Sequence, residues 1–337
     1  MQTCPVEILE HIFSLSCNDG GLTGRSLSAT SKYIRQASSS RRFQSIACRH
    51  AGQTIAFASI LESTPLRLRS VRHLLVCSYF SDLDKMTIST QVEVPTGKKL
   101  TSWKKPCPPV QDTLRLYKPY EAFTSQQTLA QKVRSAIIRI LAITAPTLVT
   151  LSFHQTIFLE DLPYSHFPAL VELSINQAWP GPTGMLEVKA LKCLSTFPSL
   201  RRLILTAFER LEDAAQFVDN IRRIAPSLTH LGIPAFCALP VVAKLLLDMT
   251  HSSSAVTSFP HTLEVLLLHG IESRIWDFQT AWESHGKHLV VQSGLYVFPS
   301  EEDGARWENA WVDGINGGEG HWSRNCAASA PEHFSRR

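Results

Sequence analysis

A short leucine-containing phrase that returns at the same phase constrains the fold of this chain more than any other feature. Each copy has a proline, a leucine two residues later and a second leucine three residues further on. Four copies read Pro146-Thr-Leu-Val-Thr-Leu-Ser-Phe153, Pro168-Ala-Leu-Val-Glu-Leu-Ser-Ile175, Pro198-Ser-Leu-Arg-Arg-Leu-Ile-Leu205 and Pro226-Ser-Leu-Thr-His-Leu-Gly-Ile233. A fifth copy, Pro260 to Leu268, has one extra residue after its proline. The recurrence predicts a repeat architecture.

Each copy predicts one β-strand with one buried side. Leu203 and Leu205 are two residues apart, so they point to the same face of an extended chain. The leading proline ends an incoming helix, because it lacks the N–H that a helix needs and restricts the residue before it. Apolar residues at helical spacing fill the gaps, at 128–141, 211–224, 239–249 and 275–282. Such units cannot close their own cores, so we predict that they stack into a curved α/β solenoid of parallel strands and returning helices.

The composition is that of a globular protein with a sizeable core. Of 337 residues, 44% are hydrophobic and 18% are charged, and the net charge is only +4. The basic pairs are scattered without aromatic residues between them, which argues against nucleic acid as a partner. No apolar run reaches the roughly 18 to 20 residues that cross a bilayer, and the first residues do not resemble a signal peptide. We therefore expect a protein that binds neither membranes nor nucleic acid.

The eight cysteines are spread along the chain with no Cys-x-x-Cys pair. This distribution is typical of free thiols in a reducing compartment. We expect an intracellular protein, cytoplasmic or nuclear. His285 and His288 have the spacing of metal ligands, but no acidic residue or cysteine lies near them in sequence, so a helix end followed by a turn is the simpler interpretation.

The N-terminus carries a second pattern. A proline that suits a helix start is followed by an apolar helical stripe, and a short second apolar stretch begins at Leu27. The residues of the pattern are Pro5, Glu7, Ile8, Leu9, Ile12, Phe13, Ser31, Lys32 and Arg35. This order resembles the F-box. Cys4, Thr30 and Ile34 stand where that family usually has Leu, Val and Trp, and these smaller side chains weaken the inferred contact.

The F-box resemblance implies docking onto the Skp-type adaptor of a cullin-RING ubiquitin ligase. The residues that it assigns to adaptor binding are Pro5, Ile8, Leu9, Ile12, Phe13, Ser31 and Lys32. The stacked phrases resemble the irregular leucine-rich repeats that commonly follow an F-box in fungal members of the family. The alternative for the N-terminal helices is an ordinary cap on the end of a larger fold.

These patterns predict three segments. Residues 1–45 form an F-box-like helical domain, and residues 46–300 form the repeat domain, with an exposed insertion near 81–118. A half-copy, Pro65 to Val76, would start the solenoid with Leu74 and Val76 pointing inward. Residues 301–337 are predicted to be a partly flexible tail, although Trp307, Trp311 and Trp322 indicate some packing.

Target recognition is predicted on the strand positions between the buried leucines, because alternate side chains there point out of the concave surface. The candidate residues are Ser152, His154, Ser174, Asn176, Arg202, Ile204, Thr206, His230, Leu267 and His269. Read across the strands, the column Ser152, Ser174, Ile204, Gly232, Leu267 changes from small and polar to apolar. A protein segment that is polar at one end and apolar at the other would fit it. The alternative is that these positions are solvated or covered by the C-terminal tail.

The common catalytic motifs are missing from the sequence. It contains no Gly-x-Ser-x-Gly, no His-Glu-x-x-His and no phosphate-binding Gly-x-x-x-x-Gly-Lys-Ser/Thr. The glycine-rich stretch from Gly314 to Gly320 could suggest a phosphate-binding loop, but no strand lies close before it. A flexible tail is the simpler interpretation. We therefore predict a non-enzymatic substrate-recognition subunit without cofactor or metal. A repeat-based interaction scaffold with no ligase attached is the second hypothesis, and an enzyme with a site built from distant residues is the third.

Overall fold

The computed structural model describes residues 4–79, 119–154, 166–176, 191, 196–206, 213–251, 261–269, 276–292 and 301–322. The predicted insertion near 81–118 lies outside these residues, as does the end of the tail after residue 322.

The described residues contain one parallel sheet of eight strands, and the order of the strands in the sheet is their order in the sequence. The strands are β1 (Ser45–His50), β2 (His73–Tyr79), β3 (Thr150–His154), β4 (Glu172–Asn176), β5 (Arg202–Leu205), β6 (His230–Pro234), β7 (Val265–His269) and β8 (His288–Gln292). The predicted α/β class with parallel strands is confirmed. Sequential order in an all-parallel sheet is compatible with a solenoid.

Described helices lie at all four predicted positions, 128–141, 211–224, 239–249 and 275–282, and the largest difference is in the first, which begins nine residues earlier, at Pro119. The described α-helices are α1 (Val6–Ser16), α2 (Leu22–Thr30), α3 (Lys32–Ala37), α4 (Ala51–Ser63), α5 (Pro119–Thr144), α6 (Ala214–Ile224), α7 (Ala235–His251), α8 (Trp276–Glu283) and α9 (Glu301–Ile315). Short 3-10 helices span Leu66–Leu68 and Gly320–Trp322. α5 ends two residues before Pro146 and α6 ends two residues before Pro226, as a helix-ending proline requires.

A continuous row of apolar side chains runs through all eight strands. In register, its members are Ile46, Leu74, Leu151, Leu173, Leu203, Leu231, Leu266 and Leu289. The row packs against the apolar faces of α4 to α7 in the main core. Burial of one leucine side chain contributes roughly 1.5–3 kcal/mol, so this row is a principal source of stability.

The residues just before each strand join neighbouring repeat units. Leu148, Leu170, Leu200 and Leu228, the first leucines of the phrases, are fully buried. Phe167 and Phe197 precede two of the prolines and their ring centroids lie 5.7 Å apart. Backbone N–H groups also donate from one unit to the one before it, as from Arg201 to the Val171 carbonyl at 2.9 Å and from Thr229 to the Arg201 carbonyl at 2.8 Å. The phrase thus shapes the turn as well as the strand.

The three N-terminal helices form a bundle with a core of its own, which we call the N-terminal bundle (residues 6–37). That core consists of Leu9, Phe13, Cys17, Ile34 and Ala37, and it is distinct from the main core. Gly21, the N-cap residue of α2, has a φ of 94°, a backbone conformation that favours glycine. Gly24 lies so close to the Arg42 carbonyl that a Cβ atom would collide with it.

The two ends of the repeat region show features that the sequence patterns did not define. β1 was not predicted as a strand, because Ser45–His50 lacks the proline-leucine phrase. The described part of the tail contains α9 and a following turn, which pack onto the sheet with Trp307, Trp311 and Trp322 buried, as the tryptophans indicated. Gly317 and Gly320 take positive φ in that turn, and the Asp313 carboxylate accepts the Gly320 N–H at 2.8 Å.

Candidate interaction surfaces

The first helix presents two different apolar faces. Leu9 and Phe13 point into the N-terminal bundle and are only 5% and 6% exposed. Ile8, Ile12 and Leu15 point outward and are 52%, 49% and 66% exposed. Because residues four apart lie on one side of a helix, Ile8 and Ile12 form a continuous apolar strip on the surface of the protein. Of the predicted docking residues on α1, Ile8 and Ile12 are therefore exposed, whereas Leu9 and Phe13 are buried and support this strip from inside.

The other predicted adaptor-binding residues lie at the starts of two helices. Pro5 is exposed and directly precedes α1, where its carbonyl accepts the N–H groups of Ile8 and Leu9. Ser31 is the N-cap of α3, and its hydroxyl accepts the Ile34 N–H at 3.2 Å. Lys32 is exposed beside it. Of the three departures from the F-box pattern, Ile34 is buried in the bundle core, Cys4 packs against that core and Thr30 is exposed.

The N-terminal bundle is tied to the first strand by hydrogen bonds. The Ala47 N–H donates to the Gly20 carbonyl at 3.1 Å, and the Gly20 N–H donates to the Ser45 hydroxyl at 3.1 Å. The Gln44 amide donates to the Ser14 carbonyl at 2.7 Å. None of these contacts uses Ile8, Ile12 or Leu15, so the bundle attaches to the sheet while its apolar strip stays at the surface.

The second candidate surface is the sheet face opposite the returning helices, which we call the far face. Most of its strand positions are not open to solvent, in agreement with the alternative that the C-terminal tail covers them. Seven of the predicted target-binding residues are at most 4% exposed: Ser152, His154, Ser174, Asn176, Ile204, Leu267 and His269. Arg202, Thr206 and His230 are half-buried. The far face is closed because α9 and the 3-10 turn after it, here the C-terminal cover (residues 301–322), lie across it.

The cover packs through its three tryptophans. Trp307, Trp311 and Trp322 form a second apolar cluster with the far-face residues Leu75, Cys77, Ile204, Leu267 and Val290. Trp307 lies over β3, with its ring centroid 5.8 Å from that of His154. Trp322 meets His230 of β6 edge to face at 5.1 Å. The tail packing that the tryptophans indicated is thus located on the far face.

Polar groups on the far face are joined in two ways. Trp307 donates its indole N–H to the Ser152 hydroxyl at 2.8 Å. Asn176 lies between two neighbours, with its Nδ2 2.9 Å from His154 Nδ1 and its Oδ1 accepting the Thr206 hydroxyl at 2.7 Å. Adjacent strands are therefore connected through side chains as well as through the backbone. We call the residues Ser152, His154, Asn176 and Thr206 the polar row, and the cover is bonded to it through Trp307.

Ion pairs flank this polar row. Arg49 of β1 binds the Glu308 carboxylate through two N–H groups, each 2.7 Å from an oxygen. The pairing raises the pKa of Arg49. Arg202 and Glu172 on neighbouring strands are 3.6 Å apart, and burial raises the pKa of the Glu172 carboxyl despite this pairing. None of Arg49, Glu308 and His321 was identified from the sequence, although the tryptophans indicated packing of the segment that contains Glu308 and His321.

The buried imidazoles of the far face are held neutral. Burial lowers the pKa of His269 to about 4. The pKa of His321, which stacks on Trp307 with centroids 3.9 Å apart, falls to about 3 through burial and the nearby His269 and His154. Within the described ranges, no cluster of three His, Cys, Asp or Glu side chains could hold a metal ion. Neutral imidazoles here act as packing and hydrogen-bonding groups.

None of the helices in the described part of the chain combines the length and the hydropathy that crossing a membrane requires. Comparisons of the chain with protein-family models, with curated proteins and with solved structures find no match. The functional argument therefore depends on the sequence patterns and on the two surfaces described above.

Proposed function

We propose that this protein is the substrate-recognition subunit of a cullin-RING ubiquitin ligase of the SCF type. In this proposal residues 1–45 are an F-box-like domain that docks on the Skp-type adaptor, and residues 46–300 are leucine-rich repeats that hold a target protein. The protein performs no covalent chemistry, since ubiquitin is transferred by another subunit. It works inside the cell, in the cytoplasm or the nucleus.

One observation carries the proposal: the apolar strip of Ile8 and Ile12 is exposed on a helix whose opposite side closes a core. Isolated exposed apolar residues are common, but an aliphatic strip along one helix face is typical of a site that another protein covers. The strip occurs in the same segment as the F-box-like residue order. Sequence pattern and surface therefore support the same use of this helix.

Within this proposal the docking residues divide by position. Ile8 and Ile12 make the apolar contact, and Pro5 fixes the approach of the chain to α1. Leu9 and Phe13 act indirectly, because their burial holds the angle between α1 and α3. Ser31 caps α3, and Lys32, the first residue of that helix, places its positive charge on the surface of the bundle.

The second candidate function is a repeat-based scaffold whose N-terminal helices only cap the sheet. The hydrogen bonds that join Ser14 and Gly20 of the bundle to residues 44–47 favour it, because they fasten the bundle to β1 and the residue before it as a cap would be fastened. In that case Ile8 and Ile12 have no partner, and the bundle contributes only stability.

Co-purification of the full-length chain with a purified Skp-type adaptor separates the two functions. The ligase role predicts a complex that survives size-exclusion chromatography and that Ile12→Asp disrupts. Ile60→Asp is the matched control, because Ile60 is equally exposed at 45% but lies on α4. Failure of the unmodified chain to retain the adaptor would favour the scaffold.

A further inference from the structure

We infer that the far face binds a helical segment of a target protein, and that the C-terminal cover occupies this site until the target displaces it. The target segment carries two large aromatic side chains four residues apart, with a carboxylate next to the first. The inference rests on the proposed target-holding role of the repeats, but not on adaptor docking.

The cover sits on the far face as an amphipathic helix sits in a groove. Trp307 and Trp311 are one turn apart and both are 3% exposed, so they project from the same side of α9 into the sheet. Arg306 and Asn309, on the other sides of the helix, are exposed. Two anchors at this spacing with a polar outer side are the pattern by which helical peptides are recognised in grooves.

The contacts under the cover also define what chemistry fits. The Ser152 hydroxyl accepts an indole N–H, so an aromatic side chain with a donor suits that position. Arg49 grips the Glu308 carboxylate with two N–H groups, and such a fork adds geometric specificity for a carboxylate. An acidic, tryptophan-containing helix matches the far face, whereas a basic helix would leave Arg49 facing a like charge.

The cover packs on the sheet as a layer of its own. Its tryptophans belong to a cluster distinct from the main core, which is built from the other face of the same strands and the returning helices. Its fit is also incomplete. Among the described residues, neither the Ser174 hydroxyl nor the Trp311 indole N–H has a hydrogen-bond partner, although both are buried. Buried polar groups without partners cost free energy. A target segment that bonds to the Ser174 hydroxyl would therefore compete with the cover, and displacement would return the Trp311 N–H to water.

The first test uses a fluorescein-labelled synthetic peptide with the sequence of residues 301–322 as the probe. The full-length chain carries Glu308→Ala and Trp311→Ala, which weaken the cover and leave the strands unchanged. We expect the peptide to bind this variant at least tenfold more tightly than it binds the unmodified chain, by fluorescence anisotropy. Glu319→Ala, which removes an exposed carboxylate of the cover, is the control and should behave like the unmodified chain.

Changes in the peptide test the stated chemistry. A peptide with Trp307→Ala should lose at least tenfold in affinity for the weakened-cover variant, while one with Asn309→Ala should bind normally. Adding Arg49→Glu to the chain should abolish tight binding of the original peptide and restore it for a peptide with Glu308→Arg. Equal binding by the weakened-cover variant and the unmodified chain, or indifference to Trp307, would overturn the inference.

A measurement on the unmodified chain does not depend on variants that fold. Hydrogen exchange of the backbone amides in residues 307–315 should accelerate as unlabelled peptide is added, because the peptide replaces the cover. Unchanged exchange at saturating peptide would contradict the inference. Adaptor binding is measured separately: a chain that binds adaptor but never the peptide overturns only this inference, and the reverse result overturns only the ligase role.

Discussion

Trp307 donates its indole N–H to the hydroxyl of Ser152, a residue 155 positions earlier in the chain, at 2.8 Å. The bond fixes α9 on the third strand of the sheet and converts a strand position that points away from the core into a buried one. Both faces of the sheet are therefore covered, one by returning helices and one by a single C-terminal segment. The predictions below follow from this layered arrangement and from the exposed face of α1.

Replacing Trp307 should loosen the C-terminal cover. Trp307→Ala removes a buried indole and should lower the free energy of unfolding by about 3–5 kcal/mol. Trp307→Phe keeps most of the ring but loses the donor to Ser152, and should cost about 1 kcal/mol. Urea denaturation followed by circular dichroism measures both. An alanine variant as stable as the phenylalanine variant would contradict burial of this side chain.

The leucine row should respond strongly to truncation. Leu203→Ala leaves a cavity between β4 and β6 in the middle of the row and should cost about 2–5 kcal/mol. Leu66→Ala is the control, because Leu66 is 80% exposed and its truncation should change stability by less than about 0.5 kcal/mol. The same denaturation experiment compares them. Similar small effects at both positions would mean that the strands do not share one row.

Replacing Gly24 with alanine should lower the stability of the protein, although the same change usually raises the stability of a helix. Glycine to alanine inside a helix ordinarily adds roughly 0.5–1 kcal/mol of stability. At Gly24 the new Cβ would meet the Arg42 carbonyl, so Gly24→Ala should destabilise the protein by about 1–3 kcal/mol. Ser26→Ala on the exposed side of α2 is the control, and it should be nearly neutral. A stabilising Gly24→Ala would show that α2 does not approach Arg42 so closely.

Acidification should destabilise the covered face. His269 and His321 have pKa values of about 4 and about 3, below the 6.5 of a free imidazole. Above pH 6.5 neither the folded nor the unfolded chain protonates them, so their contribution to stability is complete. As the pH falls below 6.5, the unfolded chain takes up protons first and the free energy of unfolding decreases until the pH passes below the folded values.

Glu172 opposes this trend, because a raised pKa in the folded state favours folding as the carboxyl becomes protonated. The net change is therefore steepest between pH 6.5 and the range in which carboxyls titrate. Urea unfolding at a series of pH values measures the slope. His321→Asn should make it shallower, whereas an unchanged slope would remove His321 from the titrating groups.

The exposed strip of α1 should determine adaptor affinity. Changing Ile8 and Ile12 together to Asp should weaken association by about 2–4 kcal/mol, because aliphatic anchors that become buried dominate such interfaces. Both side chains are about half exposed in the free chain, so the double variant should keep its fold. Isothermal titration calorimetry with purified adaptor measures the loss, and Ile60→Asp should bind as the unmodified chain does.

The sheet could be predicted from the sequence because its signal is repeated. The proline and two leucines set the turn and the strand in each unit, and the register of Leu173, Leu203 and Leu231 follows from the phase of the phrase. β1 escaped prediction because it lacks the phrase, and because its buried residues Ser45 and Cys48 lie three positions apart and so show no strand-like alternation.

The surfaces were harder to predict, since local spacing does not say what lies on top of a residue. Ile8, Leu9, Ile12 and Phe13 are all apolar, so helical spacing alone could not tell which pair faces the bundle. The sequence left open whether the far face is exposed or covered by the C-terminal tail, because the cover comes from a segment distant in sequence. The tryptophans indicated that the segment packs somewhere, but only the fold identifies Ser152 and Arg49 as its partners.

Hydrogen exchange of the full-length chain with and without purified Skp-type adaptor tests the central claim most directly. We predict new protection in α1, at residues 6–16, and in α3, at residues 32–37, with no added protection in the amides of β4 to β8. Absence of a complex, or a complex that protects the repeat strands and leaves α1 unchanged, would contradict the account.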